Sequence, residues 1–116
     1  MNPKRKRLHD QGDVVLLDFP GAQITKRRPA VVLSSVRYHS ERPDAIVGLI
    51  TSQLNRLSSV TDHLLKDWQE AGLTHPSAFR TFLATIPRSA INRHIGRLSN
   101  RDLESVRKCL QLGLSM

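Results

Sequence analysis

Cysteine, aromatic side chains and long apolar runs are all scarce in this sequence, and each shortage excludes a class of protein. Cys109 is the only cysteine among 116 residues, so neither an internal disulfide nor a zinc site built from several thiolates can form. Its apolar neighbours favour a core position over a nucleophile. Aromatic residues make up 4% of the chain, which leaves few platforms for stacking bases. The longest apolar run, residues 45–50, is far shorter than the roughly 20 residues that span a bilayer.

Acidic residues are outnumbered by basic ones. The chain has 18 Lys and Arg against 10 Asp and Glu, a formal net charge of +8. This charge favours polyanionic partners: nucleic acid first, an acidic protein second and an anionic membrane third. Residues 1–11 contain four consecutive basic residues and little that can pack, so we expect a flexible basic tail followed by one domain over residues 12–116. No apolar signal-peptide region follows the basic start, and we expect a cytoplasmic protein.

Five runs of strand-forming residues predict a mainly β fold. They are separated by turn residues and cover residues 14–19, 28–35, 45–53, 62–65 and 77–86. The runs lack clean apolar/polar alternation. This is expected where both faces of a sheet are covered, in a closed small barrel or against a second subunit.

The stretches between the strands are predicted as loops and short helical pieces. Residues 37–44 are predicted as a loop, and residues 89–95 as a short helical connector. Residues 67–73 are predicted as one helical turn that ends at Gly72, with Trp68 as a packing anchor.

The last segment is predicted as an amphipathic α-helix. Ser99 opens it in a capping-box pattern in which Asp102 replaces the usual glutamate or glutamine. Gly113 is the expected end of the helix. Three apolar residues share one face at helical spacing: Leu103, Val106 and Leu110.

Two of the predicted strands carry side chains that suit a phosphodiester. Pro29 keeps the preceding Arg28 out of helical conformation, so the guanidinium stands at the start of a strand. Another strand ends in two hydroxyls and an amide, from Thr51, Ser52 and Gln53. If these strands pair, a guanidinium and a hydroxyl converge on one phosphate.

Each of these residues also has an ordinary structural explanation. Arg28 would form an ion pair with Asp18 or Asp44, and Thr51 would merely cap its strand. For either residue alone this alternative is the stronger one. Both residues at matching strand ends in a basic chain favour the site.

Several short motifs occur in a characteristic order. GDVV stands at residues 12–15, RRPAVVLS at 27–34, LITSQ at 49–53, AGL at 71–73 and IGRLS at 95–99. Together they resemble the MazF/PemK family of toxin endoribonucleases over nearly the whole chain. The resemblance implies a mainly β fold with a C-terminal α-helix, an SH3-like small barrel of the MazF, PemK and gyrase-poison type, and usually a homodimer.

The resemblance also implies an activity. Family members cleave single-stranded RNA without a metal or other cofactor, by attack of the 2′-hydroxyl on the adjacent phosphorus, which leaves a 2′,3′-cyclic phosphate. The catalytic arginine and threonine of the family fall on Arg28 and Thr51. An acidic antitoxin usually occupies the same groove. The expected partners are therefore single-stranded RNA, an acidic antitoxin and a second copy of the chain, without a membrane.

The loop before Arg28 departs from the family pattern. Many relatives have an acidic residue there that can take the 2′-proton, whereas residues 21–27 contain none. The general base is left open, and His63 is the first histidine to test. No pair of the five histidines has metal-ligand spacing, so no metal is expected. Residues suited to RNA contact are Gln23, Thr25, Lys26, Arg27, Ser52 and Gln53.

Two other functions stay open. The first is a non-enzymatic toxin that poisons gyrase with the same fold, although residues 112–116 lack the terminal tryptophan of those proteins. The second is a basic SH3-like module that binds nucleic acid without cutting it. Such binding would be mainly electrostatic and would be lost as salt rises.

Overall fold

The fold is an antiparallel sheet packed against a C-terminal helix. The computed structural model describes residues 9–20, 27–58 and 60–116. The strands are β1 (Asp13–Asp18), β2 (Arg27–Val32), β3 (Asp44–Thr51), β4 (Asp62–Leu64), β5 (Ala78–Pro87) and β6 (Arg93–Arg97). The helices are α1 (Val36–Glu41) and α2 (Asn100–Leu114), with a 3₁₀ turn at Arg88–Ala90. The predicted mainly β class with a C-terminal helix is confirmed.

The sheet is strongly curled but open. Its strand order is β4-β5-β3-β2-β1-β6, and in the described part of the chain the edge strands β4 and β6 do not pair. The expectation of a closed barrel is therefore corrected. Strands β1 and β5 are three positions apart, about 14 Å in a flat sheet, yet the rings of Phe19 and Phe82 lie 5.5 Å apart. Strand twist thus curls the sheet without closing it.

Both faces of the sheet are buried, which explains the missing alternation in the sequence. Neighbouring residues alternate between two clusters: Val14 and Val31 belong to one, and Val15 and Ala30 to the other. The first cluster packs against α2 through Leu103, Val106 and Cys109. Burial raises the pKa of the Cys109 thiol, as expected for a core cysteine and not a nucleophile.

Two elements differ from the prediction. The segment predicted as a loop contains α1, whose first turn is capped by the Ser35 hydroxyl accepting from the Tyr38 N–H. The predicted helical connector is helical only in the 3₁₀ turn at its start, and its last residues belong instead to β6, which pairs with β1. Both depend on contacts distant in sequence. A six-residue helix is not stable by itself, and β6 needs β1 beside it.

The C-terminal helix begins as predicted and ends later. The Ser99 hydroxyl accepts from the Asp102 N–H at 3.3 Å, which is half of a capping box. The other half is not made, because the Asp102 carboxylate accepts from other groups. The helix passes Gly113 and ends at Ser115, a left-handed residue with φ of 56°. No helix in the described residues is long and apolar enough to cross a membrane.

The predicted helical turn before β5 is confirmed as a hydrogen-bonded turn that ends at glycine. The N–H of Leu73 donates to the Trp68 carbonyl at 3.1 Å, and that of Gly72 to the Gln69 carbonyl at 3.0 Å. Gly72 has φ of +88°, the left-handed conformation that ends helices. A Cβ at Gly96 would lie 2.7 Å from the Ala71 carbonyl carbon, so β6 and this turn touch backbone to backbone.

Candidate active site

Arg28 and Thr51 come together at the end of the β2–β3 ladder. Ala30 pairs with Leu49 in this antiparallel ladder. Two residues further along the strands lie Arg28 and Thr51, so the same register places them opposite each other. Because side chains two residues apart share a face, the guanidinium and the hydroxyl are brought to one place by strand pairing.

Both residues line one cleft of about 250 Å³. Strand β2 supplies Arg27, Arg28 and Pro29, and the end of β3 supplies Ile50, Thr51, Ser52 and Gln53. The segment before β5 adds Leu73, Thr74, His75 and Ser77 to the lining. No carboxylate is among these described lining residues. Two guanidinium groups, several hydroxyls and no acid make a cleft that suits an anion.

The Arg28 guanidinium is available for a ligand. Among the described residues it makes no hydrogen bond or ion pair, and Asp44 pairs with Arg42 instead, at 3.1 Å. Asp18 lies opposite Arg27 in the β1–β2 register. The structural alternative, in which Arg28 is held by Asp18 or Asp44, is not found in this part of the chain.

The Thr51 hydroxyl is also free to donate. Its Oγ1 accepts from the Gln53 N–H at 3.1 Å, which uses a lone pair and leaves the hydroxyl proton for another acceptor. The same hydrogen bond fixes the chain as it leaves β3. A ligand oxygen in the cleft can therefore receive hydrogen bonds from a guanidinium and from a hydroxyl.

The residues proposed for RNA contact fall into two groups. Arg27, Ser52 and Gln53 are exposed and line the cleft. The other three lie outside the described residues: Gln23, Thr25 and Lys26.

His75 is a cleft residue that the sequence does not single out. It stands between a threonine and a proline, and only the fold brings it to the same cleft as the ends of β2 and β3. Its Nδ1 lies 2.9 Å from Thr74 Oγ1, and its carbonyl accepts from the Ser77 hydroxyl at 2.8 Å. The signal available in the sequence was a histidine next to a glycine-ended turn.

His63 has a different environment, at the N-terminus of α2. Its Nε2 donates to Asp102 Oδ1 at 2.8 Å, and it does not line the cleft of Arg28. His63 therefore lies away from the place where a general base is needed. It belongs to a buried hydrogen-bond cluster.

Asp102 is the centre of that cluster. The carboxylate is 1% exposed and also accepts from the N–H groups of Lys66, at 3.0 Å, and Asp67, at 2.8 Å. Burial acts to raise the pKa of Asp102, but the hydrogen bonds from Lys66, His63 and Asp67 outweigh burial and hold the pKa below its usual value. Asp102 therefore stays ionised and ties the segment before β5 to α2.

Asp67 extends the same connection to the surface. Its carboxylate accepts two hydrogen bonds from Arg101, each at 2.7 Å, and one from the Ser99 hydroxyl at 2.6 Å. The Arg101 hydrogen bonds lower the pKa of Asp67 strongly. Neither here nor elsewhere in the described ranges are three His, Cys, Asp or Glu side chains grouped so as to hold a metal ion.

The fold and the site define a small basic protein with a cationic cleft, and sequence comparison identifies its family. The family described as PemK-like, MazF-like toxin of type II toxin-antitoxin system matches residues 10–114. The chain therefore belongs to this family, and the resemblance seen in the motifs is confirmed. A comparison with curated proteins found no match.

Solved structures share the fold. A MazF from Deinococcus radiodurans superposes with a TM-score of 0.76 at 21% identity. The alignment covers 96% of this chain and 100% of the MazF chain. An endoribonuclease from a mycobacterial species has a TM-score of 0.76 at 13% identity, over 97% of each chain. A MazE–MazF structure from Deinococcus radiodurans has a TM-score of 0.73 at 20% identity, over 96% of this chain and 99% of that one.

Proposed function

We propose that this protein is a metal-independent endoribonuclease, the toxin of a toxin–antitoxin pair, which cleaves single-stranded RNA and leaves a 2′,3′-cyclic phosphate. The observation that carries the proposal is the shared cleft of Arg28 and Thr51, in which both side chains retain donors for a ligand. Membership of the PemK-like, MazF-like toxin family supports it. Endoribonucleases among the proteins that share the fold agree with it.

The proposed chemistry follows from where charge develops. The 2′-oxygen attacks phosphorus as the bond to the 5′-oxygen breaks, so negative charge builds on the non-bridging oxygens and on the departing oxygen. Arg28 offers a fork of N–H donors and Thr51 a hydroxyl from a second direction. Donors held in place before the reaction stabilise this charge without reorganising. Arg28 stabilises charge and does not act as a base, because a guanidinium does not lose its proton.

The exposed cleft residues position the RNA. Arg27 adds a second cation for a neighbouring phosphate, and Ser52 and Gln53 can hydrogen-bond sugars or base edges. Gln23, Thr25 and Lys26 complete this proposed contact set.

The partners follow from charge and from the proteins that share the fold. A net charge of +8 suits an antitoxin rich in carboxylates, and one of the structures that shares the fold is an endoribonuclease in complex with its cognate antitoxin. We place the protein in the cytoplasm as a homodimer, with RNA and antitoxin competing for the cationic cleft. No cofactor enters the proposal.

The test is cleavage of a long unstructured RNA in EDTA, with mapping of the end groups. Arg28→Ala and Thr51→Ala should each slow cleavage by roughly 100- to 1,000-fold, with melting temperatures near that of the wild type. Arg37→Ala is the matched control. Arg37 is exposed on α1, and its guanidinium makes no hydrogen bond or ion pair within the described residues.

Three outcomes would contradict the proposal. Full activity of Arg28→Ala would refute the site. RNA that binds at low salt but stays intact would favour a non-cleaving nucleic-acid-binding module. Growth arrest with intact RNA and broken chromosomal DNA would favour a gyrase poison.

A further inference from the structure

His75 is the one imidazole among the described residues of the cleft, and the charge-stabilising roles of Arg28 and Thr51 leave it unused. We propose that His75 is the general base that takes the proton from the attacking 2′-hydroxyl. This inference rests on the proposed endoribonuclease function. It supplies the proton acceptor that the acid-free loop before β2 lacks.

The chemistry of the cleft singles out this side chain. Among the residues that the structure describes, the charged groups that share the cleft with His75 are Arg27 and Arg28 of β2, while β3 and the 73–77 segment add only hydroxyl, amide and apolar groups. Guanidinium groups do not give up a proton in proteins, and hydroxyls are poor proton acceptors. Imidazole changes its charge between about pH 5 and 8 and is the usual base for such transfers.

A hydrogen bond can set the tautomer that this role needs. Nδ1 of His75 lies 2.9 Å from Thr74 Oγ1. When the Nδ1–H donates to that hydroxyl, Nε2 has a free lone pair and can accept a proton. Thr74 is thus a positioning residue, which acts through the imidazole.

The fold holds this segment in place at both ends. The Ser77 side chain is 4% exposed; its hydroxyl donates to the His75 carbonyl, and its own carbonyl accepts from the Leu65 N–H at 2.9 Å. At the other end, Leu73 lies in the glycine-ended turn that packs on β6. His75 therefore stands on a fixed turn, although its side chain is exposed.

The other described histidines have environments that do not suit the role. His63 donates to Asp102. His39 is 2% exposed and its Nε2 lies 2.6 Å from Ser34 Oγ. His94 lies on β6 beside Asp13, at 3.7 Å. His9 lies near the same carboxylate, with Nδ1 3.9 Å from Asp13. None of these four histidines lines the cleft.

Nε2 of His75 takes the 2′-proton as the 2′-oxygen forms its bond to phosphorus and the bond from phosphorus to the 5′-oxygen breaks. The departing 5′-oxygen takes a proton from a water molecule. The imidazolium then returns its proton to solvent, so the products are a 2′,3′-cyclic phosphate and a 5′-hydroxyl.

The test compares the pH dependence of kcat for wild type and His75→Gln on the same RNA in EDTA. Glutamine keeps a polar amide with about the reach of Nε2 but cannot accept the proton. We expect His75→Gln to lower kcat by about 100-fold or more, to change KM little, and to lose the acidic limb of the pH profile. His75→Ala should regain activity when imidazole is added.

Two sets of variants serve as controls. His94→Gln changes an exposed histidine outside the cleft and should keep the wild-type profile, as should His63→Gln at equal fractions of folded protein. Thr74→Val should lower kcat, because valine has no hydroxyl for Nδ1 of His75. Thr74→Ser keeps the hydroxyl and should have a kcat near that of the wild type.

A substrate with sulfur in place of the bridging 5′-oxygen separates a base from an acid. Its leaving group needs no protonation, so an acid becomes dispensable while a base does not. We expect the His75→Gln defect to persist with this substrate. Disappearance of the defect would overturn the assignment as base.

The remaining outcomes are distinguishable from failure of the proposed function. If wild type cleaves, Arg28→Ala does not, and His75→Gln keeps the wild-type rate and profile, the His75 inference alone is wrong. If wild type and Arg28→Ala leave the RNA equally intact, both the proposed function and the His75 role are refuted.

Discussion

The cleft and the Asp102 cluster each contain a histidine, but they differ in how their polar groups are satisfied. In the cluster, Asp102 accepts three hydrogen bonds, and His63 is one of its donors. In the cleft, Arg28 has no partner within the described residues, and His75 is held by one hydroxyl. Polar groups that the fold satisfies hold elements together, whereas groups left free in a concave site are available to a ligand.

This difference predicts that the Asp102 cluster determines stability and that the cleft determines activity. Changing one region at a time tests that prediction. Changes in the Asp102 cluster should lower the free energy of unfolding and leave the rate per folded molecule near that of the wild type. Changes in the cleft should lower the rate per folded molecule and leave the free energy of unfolding near that of the wild type.

The largest stability effect is expected from Asp102→Ala. Removing the carboxylate leaves the N–H groups of Lys66 and Asp67 and the His63 ring without their acceptor, so we expect a loss of about 3 kcal/mol. Urea unfolding measures it. Glu104→Ala is the matched control. It removes the same charge two residues further along the same helix, at an exposed position. A large loss of RNA cleavage with unchanged stability would contradict the structural role of Asp102.

Gly96→Ala should lower both stability and activity, because this glycine packs on the turn that runs from Asp67, at the Asp102 cluster, to Leu73, at the cleft. The new Cβ would overlap the Ala71 carbonyl and force apart β6 and the turn that leads to the cleft. We expect a loss of about 2 kcal/mol and slower cleavage. Thermal melts measure the loss of stability, and initial rates measure the slower cleavage. Full activity with a lower melting temperature would show that the cleft wall does not depend on this contact.

Ser99→Ala should have a smaller and purely structural effect. It removes the N-cap of α2 and the hydroxyl that donates to Asp67, at a cost of about 1 kcal/mol. Ser105→Ala, in the body of the same helix, should change the free energy of unfolding much less. Equal effects of the two changes would mean that the cap contributes nothing.

The smallest effect concerns pH. Burial lowers the pKa of His39 from 6.5, so the folded state binds its proton less readily than the unfolded state. The contribution of His39 to stability is therefore complete above pH 6.5 and is lost as pH falls below that value through the lowered pKa. The slope of unfolding free energy with pH in this range should decrease in His39→Gln and stay the same in His94→Gln.

Local signals in the sequence predicted most of the fold and part of the site. The five predicted strands agree with β1 to β5 to within three residues at each end, because each is a continuous run of strand-forming residues. Arg28 and Thr51 were found because proline and a strand end mark their positions locally. Strand β6 was missed because it contains Gly96 and forms only beside β1.

The histidines show where local reasoning failed. His63 follows an acid in the sequence, Asp62, but its partner in the structure is Asp102, 39 residues further along. His75 stands in a turn whose sequence does not indicate a cleft. Neither environment can be read from neighbours in the chain.

By itself, the sequence determined the basic charge, the mainly β class, the capped final helix and the extended backbone that presents Arg28. Composition and short-range backbone sterics are enough for these features. Only the tertiary structure decided that the sheet curls without closing, that Asp102 is buried among donors, and that His75 lines the same cleft as Arg28 and Thr51. These features depend on contacts between residues far apart in the chain, whose positions are set by packing and strand pairing.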